Sequence, residues 1–96
     1  MSYRFEWDSY KAATNLKKHS VSFDEASSVF DDPMAILFDD EEHSATEVRE
    51  LIIGYSVSGR LLLVGFTERS GEMLRLISAR AVTRKERKEY EDNLFS

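Results

Sequence analysis

The chain has 96 residues, 42% of them hydrophobic, no cysteine and a formal net charge of −5. That is apolar material for one core and too little length for two, so a single domain over residues 1–96 is expected, without disulfides, thiolate metal sites or thiol chemistry. The N-terminus lacks an apolar signal-type segment and no window reaches the ~18 apolar residues of a membrane span, so a cytoplasmic chain with no membrane partner is expected.

Residues 3–7 alternate, with Tyr3, Phe5 and Trp7 on one face and Arg4 and Glu6 on the other, the pattern of a half-buried strand. Trp7 is assigned by that phase to the core or its rim. Asp8 is a good N-cap for a helix of about ten residues through Tyr10, Ala13 and Leu16, which ends in Lys17-Lys18-His19, where cations complement the helix dipole. Ser22 and Glu25 have capping-box spacing, and Phe23, Ala26 and Phe30 form the inward stripe of a second, short helix that Asp32-Pro33 stops. Met34 to Phe38 reads as a short strand and Asp39 to Ala45 as an acidic loop.

The acidity is local. Eight of the 18 acids lie within residues 31–50, opposed there only by Arg49, and the remainder has ten acids against twelve bases. The overall charge therefore does not exclude a nucleic-acid partner.

Arg49 to Val57 reads as a strand. Arg60–Arg69 and Glu72–Arg80 read as two more, joined by a tight turn at Ser70-Gly71. The run Leu61-Leu62-Leu63-Val64-Gly65-Phe66 is apolar on both faces, which predicts a central strand. Thr83 and Glu86 form a second capping-box pair before a C-terminal helix held by Tyr90 and Leu94, whose Arg84, Lys85, Arg87 and Lys88 make a basic surface. The order β-α-α-β-β-β-β-α predicts an α+β fold: a small antiparallel β-sheet with two N-terminal helices and one C-terminal helix.

Asp31, Asp32, Asp39 to Glu42 and His43 have oxygen ligands but neither the spacing nor the turn glycine of a calcium loop, and read as a solvated segment; no metal or other cofactor is expected. The glycines form no phosphate-cradling pattern, and two histidines without a nucleophile elbow give no hydrolase triad. What remains is a set of cations, Lys17, Lys18, His19, Arg60, Arg69, Arg75 and Arg80, with Glu68 near in sequence. RNA suits such a set, because its own 2′-OH can attack the adjacent phosphorus while the protein orients the backbone and stabilises charge. Arginines supply forks for phosphate oxygens, Lys18 can offset charge on the phosphorane, and His19 or Glu68 can carry a proton. The same arginines also fit ordinary surface charges paired with Glu68 and Glu72, and residue types alone leave both readings open.

Phe5-Glu6-Trp7-Asp8, Lys11-Ala12, Asn15, Lys18-His19 and Val21 to Ala26, followed by Val29 to Pro33, Gly59 to Leu62, Thr67-Glu68-Arg69, Ile77 to Arg80 and Thr83 to Arg87 with Tyr90-Glu91, resemble BrnT-type toxins. The resemblance implies a RelE-like fold and a ribonuclease of a type II toxin–antitoxin pair that cleaves RNA without metal. It further implies neutralisation by a BrnA-type antitoxin, through which alone the chain would reach operator DNA. Lys18, His19, Glu68, Arg69 and Arg80 are then the catalytic candidates, and Arg60, Arg75, Arg84 and Arg87 the RNA-binding ones. Two positions depart from the pattern: Ala81 where a further basic residue is expected, and Phe66 where a polar aromatic or histidine is frequent. The alternative is a non-catalytic RelE-like module that binds the antitoxin and tunes operator repression.

Overall fold

The computed structural model describes residues 3–41 and 48–95. Strand β1 (Arg4–Glu6) leads to Asp8, whose extended backbone and carboxylate, accepting the Lys11 N–H at 2.9 Å, start helix α1 (Ser9–His19). The apolar residues that mark this helix in the sequence face outward: Tyr10 is 79% exposed and Leu16 52%. Its inner side is carried by Ala12 and Asn15 instead. A small residue and a fully bonded carboxamide let the helix lie close to the sheet, which the two bulkier side chains would prevent. Ser20 ends the helix with φ 59°, its N–H donating to the Leu16 carbonyl at 2.9 Å.

Helix α2 (Phe23–Ser27) starts at Ser22, whose hydroxyl accepts the Glu25 N–H at 3.0 Å. The capping box stops at that half. The Glu25 carboxylate turns to Ser56, Ser58 and Arg60, tying α2 to the far end of the sheet. A 3-10 turn over Ser28–Asp31 follows, and Asp32 then accepts the N–H groups of Met34 at 2.9 Å and Tyr55 at 2.8 Å. Part of the acidic segment is thus structural. Glu42, His43 and Ala45 lie outside the described residues.

Strands β2 (Ile36–Asp39), β3 (Glu50–Tyr55), β4 (Leu61–Glu68) and β5 (Met73–Ala81) form an antiparallel series, and the sheet order is β1-β5-β4-β3-β2. As its apolar run predicts, β4 is central. β1 pairs with β5 in parallel, so the sheet is mixed rather than wholly antiparallel. The reason is the path of the chain: α1 and α2 cross one face to the β2 edge, leaving β1 on the opposite edge beside β5. Gly71, at φ 70°, makes the β4–β5 turn.

The face under α1 and α2 buries Val21, Phe23, Ala26 and Val29 against Ile52, Leu62, Val64, Phe66, Leu74, Leu76 and Ala79. Each large apolar side chain enclosed there contributes about 1.5–3 kcal/mol. Trp7 packs edge-on against Phe23, with ring centres 5.8 Å apart, and Phe66 against Phe30 at 5.0 Å. The other face is covered only in part. Helix α3 (Arg84–Phe95) contributes Tyr90 and Leu94 to a small cluster with Ile53 and Leu61. No helix among the described residues is long and apolar enough to cross a membrane.

Candidate functional site

Because α3 brings so few apolar residues, the middle of this second face stays open as a groove of about 820 Å³. Leu51, Ile53, Leu63 and Ile77 form its floor, Tyr90 and Asn93 part of a wall, and His19, Arg49, Arg80 and Glu86 its polar rim. A β-bulge decides which side chains enter it. Gly65 pairs with Ser78 but Phe66 with Leu76, so Ile77 is an extra residue in β5. Both Ile77 and Ser78 then line the groove, and the alternation of β5 is inverted beyond them. In a regular strand Arg80 would share the helix-covered face of Leu74 and Leu76; the bulge puts Ala79 there and Arg80 in the groove. Gly65 permits this close approach, since a Cβ at that position would stand 2.7 Å from the Ser78 hydroxyl.

His19, at the end of α1, reaches the same rim from the other side of β5. Arg80 donates to both carboxylate oxygens of Glu86 at 2.8 Å and to the Ala81 carbonyl at 3.2 Å. The hydrogen bond from Arg80, against opposing desolvation, lowers the Glu86 carboxyl to about 2, and the same pairing raises the Arg80 pKa. Lys18 is exposed beside His19.

Glu68 and Arg69 lie elsewhere. They line a small cleft with Val48, Glu50 and Thr67 at the opposite end of β4. Arg75 pairs with Glu6 at 2.8 Å, and Arg69 lies 3.9 Å from the same carboxylate. Thr67 faces Arg75 and Leu63 faces Arg80, so about 13 Å of strand separates the two groups. Glu50 in this cleft has its pKa raised by burial first, then by Glu68 and Asp39.

Arg60 adjoins the Arg80 end of the hairpin, but its guanidinium is engaged by the Glu25 carboxylate and by the Ser20 carbonyl at 2.9 Å. The hydrogen bond from Arg60, opposed by burial and aided by Ser58 and Ser56, holds Glu25 at about 2. Arg84 and Arg87 are exposed on α3, and Arg87 donates to the Tyr55 hydroxyl at 3.3 Å. Of the two departing positions, Ala81 is exposed and Phe66 is buried on the helix-covered face, turned away from the groove. Sequence reasoning did not single out Ser78 or Glu86 as parts of this site. The glycine inside the apolar run of β4 was the available signal for the first, since a strand glycine marks close approach or a bulge.

A mixed five-stranded sheet with two helices on one face and a groove rimmed by histidine and arginine on the other places the chain among small α+β proteins that present a site on an open sheet face. The family model described as the ribonuclease toxin BrnT of type II toxin–antitoxin systems matches residues 7–86, and the chain belongs to that family. Membership implies an antitoxin as partner. The 1.1 Å crystal structure of the Brucella abortus ribonuclease toxin BrnT shares the fold, with a TM-score of 0.66 at 24% identity over 86% of this chain and 100% of that one. No curated protein matches the chain.

Proposed function

We propose that this chain is a metal-independent endoribonuclease that cleaves RNA at the Arg80–His19 end of the groove. The observation that carries the reading is the convergence of His19 from α1 and Arg80 from β5 on one groove. RNA carries its own nucleophile: the 2′-oxygen forms a bond to phosphorus, the bond to the 5′-oxygen breaks, and the products are a 2′,3′-cyclic phosphate and a 5′-hydroxyl. His19 takes the 2′-OH proton or supplies one to the 5′-oxygen. Arg80, released from Glu86, and Lys18 face the charge that grows on the phosphorane. Arg69 and Arg75, on the same open face, hold nucleotides farther along the strand, and Glu68 stands next to Arg69 in the chain at that end of β4. The basic surface of Arg84 and Arg87 draws the polyanion in. Arg60, fixed by Glu25, acts here by holding the turn after His19.

In this reading the chain acts in the cytoplasm, is neutralised by a BrnA-type antitoxin and reaches operator DNA only through it. The test is single-turnover RNA cleavage in excess chelator. The parent should cleave, and Arg80→Ala and His19→Ala should each lose about ten- to a thousand-fold in rate. A folded parent that binds antitoxin but leaves RNA intact would instead make the chain a non-catalytic module that tunes operator repression.

A further inference from the structure

β1 accompanies β5 only from Met73 to Arg75, whereas β5 runs on to Ala81. Beyond that point the side chain of Asn15 meets the edge of β5. Asn15, 7% exposed, accepts the Ala79 N–H at 3.0 Å through its Oδ1 and donates to the Ala79 carbonyl at 2.8 Å through its Nδ2. The carboxamide thus copies the pairing a strand would offer. Its second N–H goes to the Val21 carbonyl at 2.9 Å. The orientation of the amide is fixed, because the Ala79 N–H requires an acceptor and both carbonyls require donors.

These three bonds join the interior of α1, the segment just after its left-handed end at Ser20, and the residue of β5 that precedes Arg80. His19 lies one helical turn beyond Asn15. We propose that Asn15 is a positioning residue of the RNA site, which sets the distance between His19 and Arg80 by clamping α1 to β5. Its catalytic consequence rests on the reading of His19 as the proton carrier. Aspartate cannot substitute, since it has no donors for the two carbonyls and adds a buried charge. Glutamine is one methylene too long for all three contacts. Alanine leaves three buried backbone groups without partners.

The experiment compares the parent with Asn15→Ala and Asn15→Asp by NMR and by single-turnover RNA cleavage, at temperatures where circular dichroism shows each variant folded. Should Asn15→Ala not fold, Asn15→Ser, which keeps one hydroxyl, replaces it. In the variants the Ala79 amide should exchange about a hundred-fold faster while amides in the centre of β4 are unaffected. Nuclear Overhauser contacts between the His19 ring and the groove side chains should be lost. The cleavage rate at saturating RNA should fall about ten- to a hundred-fold with the half-saturating RNA concentration changed less than about three-fold, as expected of misplacement rather than lost binding. Unchanged Ala79 exchange and unchanged His19 contacts would overturn the clamp. Folded variants that lose those contacts yet cleave at the parent rate would overturn its role in the reaction. If His19→Ala itself cleaves at the parent rate, the reading of His19 falls, and exchange and Overhauser contacts still decide whether Asn15 places that side chain.

Discussion

Arg80 and Glu86 are joined at two points, Nη1 to Oε1 and Nη2 to Oε2, both at 2.8 Å. The same carboxylate accepts the Thr83 N–H at 2.8 Å, and Thr83 Oγ1 accepts the Glu86 N–H at 3.1 Å, which completes the box that starts α3. A carboxylate therefore fills the fork that an RNA phosphate would use. In the proposed reading, a phosphate at Arg80 takes the place of the Glu86 carboxylate in that fork. Glu86→Gln should lower the half-saturating RNA concentration about three- to ten-fold, because a neutral amide competes less well with phosphate for the guanidinium. Hydrogen exchange should show the first turn of α3 less protected at the same time. Equal affinity in parent and variant would mean that Glu86 does not compete with RNA for Arg80.

Glu25 and Glu86 are both held at about 2 against an ordinary 4.5, chiefly by hydrogen bonds from Arg60 and Arg80. With the folded pKa below the unfolded one, the native state binds fewer protons, so their stabilisation is complete above 4.5 and disappears as pH falls from there towards 2. Urea unfolding should show the parent losing stability across that window. A Glu25→Gln/Glu86→Gln double variant should be weaker at pH 6, flatter with pH, and level with the parent near pH 2. Glu50 acts in the opposite sense, because burial and its acidic neighbours push its pKa up. Glu50→Gln should therefore be more stable than the parent at pH 7, and a loss there would contradict that assignment.

Gly65 and Ser78 make a second coupled pair. A Cβ on Gly65 would meet the Ser78 hydroxyl at 2.7 Å, whereas the Ser78 Cβ stands 3.9 Å away. Gly65→Ala should cost about 1–3 kcal/mol through this overlap, and adding Ser78→Ala should return most of it. A double variant as weak as the sum of its singles would place the strain elsewhere.

The elements were legible because each carries its own period or punctuation: the apolar run of β4, the turn glycine at Gly71, the caps at Asp8, Ser22 and Thr83. What the sequence hid is where local signals compete with tertiary ones. Tyr10 and Leu16 have the look of an inner face, yet the side of α1 that meets β5 is chosen by what the sheet edge needs, a carboxamide at Asn15. Glu25 has the spacing of a capping box, but the cations and hydroxyls that recruit it lie more than 30 residues away. Arg75 and Arg80 are five residues apart, which in a regular strand means opposite faces; only the unannounced bulge at Ile77 brings them to one. It follows that Tyr10→Ser and Leu16→Lys should each change stability by less than about 0.5 kcal/mol, as exposed positions do. Ala12→Lys, placed against the core, should be severely destabilising, and thermal melts of the three variants check the order.

The last prediction concerns α3, whose first turns carry Arg84, Lys85, Arg87 and Lys88. Cations there oppose the helix dipole, which favours negative charge at the N-terminus, so their placement works against the stability of the helix that bears them. Glu86 offsets part of this by accepting the Thr83 N–H, although it shares its carboxylate with Arg80. Lys88 has its own partner one turn on, in Asp92 at 3.3 Å. In the proposed function this basic surface attracts a polyanion or an acidic partner, which offsets its cost in helix stability. Arg84→Glu/Arg87→Glu should therefore move two measurements in opposite directions. Stability should rise by about 0.3–1 kcal/mol, less whatever the lost Arg87–Tyr55 contact at 3.3 Å contributes. The association rate with RNA should fall several-fold and its dependence on salt should flatten. A rate and salt slope equal to the parent's, with stability raised, would leave the charges of α3 without a part in RNA capture.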